Sequence, residues 1–486
     1  MYARKVVIKM EEQRSPSNRP VNPRRRKRTK MQIFKEAYLP VIIAGLALVL
    51  ILVFIIGSIS RAIQRKNDQK AASIAASSSI AEEEARLEQE IQDLFAQAEI
   101  MVKDYDYPGA IALLNSFSGD ISKYPHLNDR ILEYEAAFDK MVLWNDPSKV
   151  VNLSFQLLLA DPARGYSFPG YGYSINRNFI TTTEFSKILQ QLYDNGYILV
   201  SLDDIITTET TASGNTVYKP KPLYLPNGKK PIMFTQTNVN YNYYLIDSNK
   251  DKLPDANGGG FASKLLWNGS KFTCEMVDAS GNTVTGDYDM VPILDAFVEK
   301  HPDFSYRGAK AILALTGYNG LFGYRTHESA IDLFGESAYR QAIQDATTVA
   351  NALRNNGYTL ACYTYENIPS GQSSLNTVKN DLKSWTDEVV PILGNIDILV
   401  YAQLNDIATP DKTYSGEKFD TLHNLGFRYY LGFCENGTPF ATLTENYIRQ
   451  GRILVTGSNL AHNSDWFNNL FDPSSVLDAS RGNIPE

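Results

Sequence analysis

The chain has 486 residues, 43% hydrophobic and 21% charged, enough for two or three domains around one sizeable core. Its formal charge of −7 is unevenly spread: the first forty residues are strongly basic, above all at Arg24-Arg-Arg-Lys-Arg28, so the remainder is acidic and has no electrostatic reason to seek nucleic acid. Three cysteines, Cys274, Cys362 and Cys434, are an odd number without paired spacing, which excludes a closed disulfide framework and leaves stability to core burial.

The basic tail covers 1–38. Residues 39–59 are almost unbroken apolar sequence without a charge, long enough to cross a hydrocarbon layer of about 30 Å and too long for a signal-peptide core. Lys and Arg are denser before this stretch than after it. The expectation is a single-pass anchor in the cell membrane, with the N-terminus cytoplasmic and the C-terminal bulk extracellular. A linker at 60–80, rich in Ala and Ser, leads to a helical spacer at 81–145. Leu87, Ile91, Leu94, Phe95 and Ala98 follow helical spacing there, a second helix begins near Tyr105, and a third is expected over 127–143. These pairs are similar to tetratricopeptide units, although too few to stack alone.

Asn145-Asp-Pro147 marks a boundary, and 150–159 reads as a strand. Thr181-Thr-Thr-Glu184 is a capping box opening a helix whose apolar face is Phe185, Ile188, Leu189 and Leu192, with Gly196 as its stop. A strand at 197–202 follows. Pro231 to Phe234 is a short apolar run that delivers Thr235-Gln-Thr-Asn238 to a rim. Gly281-Asn282 marks a small inserted hairpin. Then come a helix at 289–301, a strand at 308–315, a helix at 338–355, a strand at 357–362, a helix at 375–390, a strand at 396–402, a helix at 418–425 and a strand at 427–433. A loop-rich tail is expected at 461–486. Strands alternating with helices over 150–460 predict an α/β domain, a parallel β/α barrel or a distorted one.

In such a fold, chemistry sits where the strands end. The residues expected there are neutral and polar or aromatic: Gln156, Gln236, Asn238, Asn240, Tyr241, Asn242, Tyr243, Tyr363, Tyr365, Asn367 and Gln403. Amides donate and accept, and tyrosines offer a flat face with a polar tip, which suits hydroxyl-rich sugar rings. The bland reading is that these side chains only satisfy one another.

The helix, the Asn195-Gly-Tyr197 turn and the strand that lead to Thr235-Gln-Thr-Asn238, together with Tyr363-Thr-Tyr-Glu-Asn367 after a second such turn, resemble the polysaccharide deacetylases, the NodB-homology group or carbohydrate esterase family 4. The resemblance covers the same span as the barrel and implies a distorted barrel of that type. It also implies which positions have changed. The family's general-base aspartate falls on Thr237, its metal-binding aspartate on Asn238, and its two histidine ligands on Tyr363 and Asn367. A further histidine near the site falls on Gln156. With all three ligands replaced, the resemblance implies no zinc site, no cofactor and no catalysis, and a domain kept to bind cell-wall glycan or an envelope protein. The alternative is an active metal-dependent deacetylase of acetylated cell-wall polysaccharide with a rearranged site, for which His327, Glu328 and Glu366 are the candidates.

Asp247, Asn249, Asp251 and Asp255 stand at positions one, three, five and nine of a calcium-type loop, similar to the Asp-rich repeats of dockerins and thrombospondins. Lys252 occupies the place of the turn glycine, and Gly258 that of the bidentate glutamate. The loop is either a site for extracellular calcium or a plain Asp/Asn turn.

Overall fold

The computed structural model describes residues 39–214 and 216–486; the basic tail at 1–38 lies outside them. The chain divides into two units after Glu88. A single helix, Leu39–Lys103, begins in the first unit and ends in the second. Its apolar part has a mean hydropathy of 2.8 with none of that window buried, which makes it long and apolar enough to cross a membrane. The stretch 60–80, expected as a linker, is helical within this same element. Neither Gly nor Pro occurs between 58 and 103, and Ala, Glu, Gln, Lys and Arg are strong helix formers.

In the second unit, Tyr107–Asn115 starts at Asp106, whose carboxylate accepts from the Gly109 amide, and packs on Pro125–Phe138 through Ala110, Leu114, Leu127 and Ile131. The third helix of the spacer therefore ends earlier than expected. Met141–Trp144 is instead a strand, antiparallel to Leu223–Pro226.

Seven parallel strands form a closed barrel: β1 (Val151–Phe155), β2 (Lys230–Thr237), β3 (Ile312–Leu315), β4 (Thr359–Cys362), β5 (Ile398–Val400), β6 (Tyr429–Phe433) and β7 (Ile448–Leu454). Their order around the barrel is their order in the chain, and β7 closes on β1 by pairing Ile453 with Leu153 and Leu454 with Ser154. β2 is long enough to serve three partners. One edge holds β1 over Val151–Phe155; the other pairs first with the short strand Tyr197–Leu199 and then, from Thr235, with β3. The short strand thus lies end to end with β3 and stops before the mouth, which distorts the barrel.

Period-two alternation sends each strand's side chains to two places. Leu153, Phe155, Phe234, Leu313, Leu315, Leu360 and Leu399 pack outward under the helices, meeting residues such as Phe185, Ile188, Leu189, Val349 and Leu353. The inward set is smaller: Met233, Ala314, Ala361, Val400, Leu431 and Ile448. The helix Thr182–Asp194 carries the expected capping box between Thr181 and Glu184. The helix expected at 375–390 runs as Leu375–Ser384, a π turn at Trp385–Val389 and Val390–Leu393. At the turn into β4, Gly357 has φ 85°, and a Cβ there would run into the Gly308 carbonyl, so only glycine fits.

Two features depart from the sequence reading. β7 was not among the expected strands, because its Arg449-Gln-Gly-Arg452 centre is polar. The tail is not merely loop: it contains short helical turns, and the buried Arg481 donates to Glu184 at 2.5 and 2.6 Å.

Candidate functional site

Because the strands are parallel, all their C-terminal ends reach one mouth. There a cavity of about 300 Å³ opens, and its lining residues come from five strand ends: Gln156 after β1, Thr237 and Asn238 from β2, Tyr363 and Asn367 after β4, Gln403 after β5, and Arg452 from β7. Gln156, Thr237, Asn238, Tyr363, Asn367 and Gln403 were all expected at the rim, and the fold brings these six together.

Their side chains are only partly satisfied by one another. Thr237 donates to the Phe155 carbonyl at 3.3 Å, and Gln403 donates to the Asn367 carbonyl at 2.6 Å. The Tyr363 phenol is buried against Arg452, the Gln403 amide and Thr237; burial raises its pKa, and these three neighbours oppose the rise. The side-chain oxygens of Asn238 and Asn367 are buried without a partner. Such an atom costs about 1–3 kcal/mol when left unsatisfied.

The backbone around the mouth is also strained. Asn238, Thr364, Asn367, Gln403 and Leu404 have φ of 59°, 61°, 56°, 52° and 57°. Non-glycine residues seldom adopt this left-handed region, and clusters of them belong to ligand clamps and active sites. The Thr364 hydroxyl braces one of these turns by accepting from the Ile368 amide at 2.8 Å.

Several lining residues had not been expected, among them Arg452 and Tyr244. Arg452 is 1% exposed and donates to the Gly432 carbonyl at 2.9 Å, the Ser154 hydroxyl at 2.9 Å and the Tyr401 carbonyl at 3.0 Å. Among the described residues no carboxylate forms an ion pair with it. Burial lowers its pKa. Tyr244 stands at the lip, 38% exposed, with its ring 5.7 Å from that of Tyr171, which is 42% exposed. Tyr244 was legible as part of the aromatic run at 241–244; Arg452 gave a signal only through the unrecognised strand.

The other expected residues lie elsewhere. Gln236 neighbours Thr237 and so points to the opposite face of β2, where it donates to Asp289 at 2.7 Å. Tyr241 is fully buried and donates to the same carboxylate at 2.8 Å. Asp289 is the cap residue of the helix Met290–Lys300, and burial raises its pKa against the pull of these donors. Asn240 is tied to Thr316, donating to its carbonyl and accepting from its amide, and to the Gly320 carbonyl. Tyr365 donates to Glu388 at 2.7 Å. These four hold the loops that shape the mouth and do not line it.

His327 is buried between Tyr243, 3.4 Å from Nε2, and Ser329, 2.9 Å from Nδ1. Burial, helped by Arg325 and Lys252, pushes its pKa down to about 4. The Glu328 backbone amide donates to Glu388 and the Glu366 backbone amide to Asp381. Among the described residues, no three His, Cys, Asp or Glu are grouped to hold a metal ion.

In the 247–255 loop the acidic side chains accept from the loop's own amides. Asp247 accepts from the Asn249, Lys250 and Lys252 amides, Asp251 from Leu253, and Asp255 from Ser248 and Asn257. The loop thus has the form of nested Asx turns.

No protein-family profile matches the chain, and no curated protein matches it. Among solved structures, the Streptococcus pyogenes deacetylase PplD in complex with acetate is similar to it at 12% identity and a TM-score of 0.34, over 64% of this chain and 94% of that one. The barrel itself rests on the strand pairing described above, not on this likeness.

Proposed function

We propose that this is a membrane-anchored, extracellular relative of the polysaccharide deacetylases that has lost catalysis and binds cell-envelope carbohydrate at the barrel mouth. The observation that supports this most is the meeting of Gln156, Thr237, Asn238, Tyr363, Asn367 and Gln403 in one cavity with no carboxylate or imidazole in its lining. The residues at the family's ligand positions do not fit a divalent ion: two neutral amides and a phenol whose pKa is raised supply no negative charge to offset its desolvation. They do suit a sugar. Amides recognise hydroxyls, the two unpaired Asn oxygens call for donors, and the Tyr171 and Tyr244 rings offer apolar faces at the lip.

The test uses the full-length protein in lipid nanodiscs. Saturation-transfer NMR with chito-oligosaccharides and peptidoglycan fragments should detect contact. Acetylated forms of the same sugars should release no acetate, and metal analysis should find no stoichiometric zinc. Acetate release that a chelator abolishes would overturn the reading. For the topology, protease added to intact cells should digest the C-terminal domain and spare the basic tail; protection of both would overturn it.

A further inference from the structure

The lining of the cavity is neutral apart from one residue. Arg452 carries its charge inside the barrel, and the carboxylate with which it interacts at longer range, Asp406, is already taken by Arg449 at 2.6 Å. Three of the five guanidinium N–H groups are engaged, all by uncharged acceptors. Two donors and the full positive charge are left beside the open space. A buried cation without a counter-ion is costly, and a ligand that brings the missing negative charge removes that cost while gaining charge-assisted hydrogen bonds. The geometry around it adds a second requirement. Asn238 and Asn367 line the same cavity, and their side-chain oxygens are buried without a partner. One ligand class meets both demands: an anion that also carries hydroxyl donors.

We propose that the cavity takes a sugar bearing a carboxylate, with the anion on Arg452 and ring hydroxyls donating to Asn238 and Asn367. This rests on reading the cavity as a carbohydrate site and names the kind of carbohydrate. A guanidinium without a counter-ion favours a carboxylate over a neutral amino sugar as the occupant of this position. Uronic acids and lactyl-ether sugars such as N-acetylmuramic acid both present this chemistry.

Calorimetry on the full-length protein in nanodiscs separates the cases. Four ligands are compared: a disaccharide ending in glucuronate, one ending in N-acetylmuramic acid, and the methyl ester of each. The free acid of one or both pairs should bind about tenfold or more tighter than its ester, the scale of one charge-assisted hydrogen bond. A gap in the first pair alone identifies a uronic acid; a gap in the second alone identifies the lactyl-ether acid. Arg452→Gln should close the gap, which distinguishes this site from the basic tail. Gln156→Glu, which places a negative charge in the same cavity without touching the Arg452 hydrogen bonds, should lower the affinity of the acid more than that of the ester. Equal binding of acid and ester by the unaltered protein overturns the carboxylate assignment and leaves the carbohydrate reading standing. Absence of binding by all four overturns the carboxylate assignment, and absence of contact with chito-oligosaccharides and peptidoglycan fragments as well removes the carbohydrate reading. A gap that persists in a folded Arg452→Gln protein, or that is undiminished in Gln156→Glu if Arg452→Gln does not fold, places the anion elsewhere and overturns the assignment.

Discussion

Arg449 and Arg452 lie three residues apart on one strand and face opposite sides of it, and the two sides treat the same charge differently. On the outer side Arg449 meets Asp406 at 2.6 Å, donates to the Thr409 and Lys412 carbonyls and covers the Tyr414 ring. Burial raises the pKa of Asp406, and the paired guanidinium and Tyr414 pull it back. On the inner side Arg452 meets only carbonyls and a hydroxyl. Arg481, bonded to Glu184 on a third surface, behaves as Arg449 does. The contrast teaches that burial alone does not mark an arginine as structural. A counter-ion inside the protein closes the account of Arg449 and Arg481, whereas Arg452, which lines the cavity, has none.

That contrast breaks first at the closed pairs. Glu184→Ala strands Arg481, whose side chain is 1% exposed, and should destabilise the protein by about 3–5 kcal/mol, read by chemical denaturation. Asp406→Asn keeps a hydrogen-bonding side chain beside Arg449 and should cost somewhat less, about 3 kcal/mol. Arg452→Gln loses three hydrogen bonds but also relieves an uncompensated charge, so its cost should be smaller, about 1–2 kcal/mol. A loss as large as that of Glu184→Ala would mean that Arg452 is as structural as the other two.

The finest test is a titration. His327 is buried beside Arg325 and Lys252, with Tyr243 and Ser329 as its hydrogen-bond partners, and its folded pKa of about 4 lies below the ordinary value of 6.5. The unfolded chain therefore binds the proton first. The stability tied to the neutral ring is complete above pH 6.5 and is lost as pH falls from there toward 4. Asp381, held up to about 6 by burial, titrates in the opposite sense over the same range, so the informative quantity is the difference between proteins. His327→Gln should lose less stability than the unaltered protein between pH 6.5 and 4. Parallel curves for the two would show that the ring is not held neutral.

Most of the barrel was legible in the sequence because its strands outside the mouth are apolar runs bounded by Gly or Asn-Gly turns, and because Thr181 and Glu184 announce a helix start that the structure keeps. β7 was not, since two arginines and a glutamine inside a strand look like surface until their partners on β1, β6 and the 406–412 loop are known. The site was half legible. Thr237 and Gln236 are consecutive residues of one strand, so period-two geometry forbids both from facing the cavity, and that rule alone separates them. Past Asn238 no such rule applies. The left-handed turns at Asn238, Thr364, Asn367 and Gln403 are set by tertiary packing, and they decide that Asn240, Tyr241 and Tyr365 turn away.

The pairing of Ile453 with Leu153 has a further consequence, for the order in which the molecule is made. The first and last strands of the barrel are about 300 residues apart in the chain, and β1 has no partner on that edge until β7 has been synthesised and, on the proposed topology, carried across the membrane. Contacts of such sequence separation form slowly, and until they form the open edge of β1 is available to other strands. Completion of the polar interior waits on the same event, because Arg452 and Gln450 arrive with β7 to meet Ser154 and Asn152. The cavity at the mouth is thus among the last parts of the domain to exist, and a chain stopped anywhere before 454 can carry most of the cavity's residues without ever assembling it.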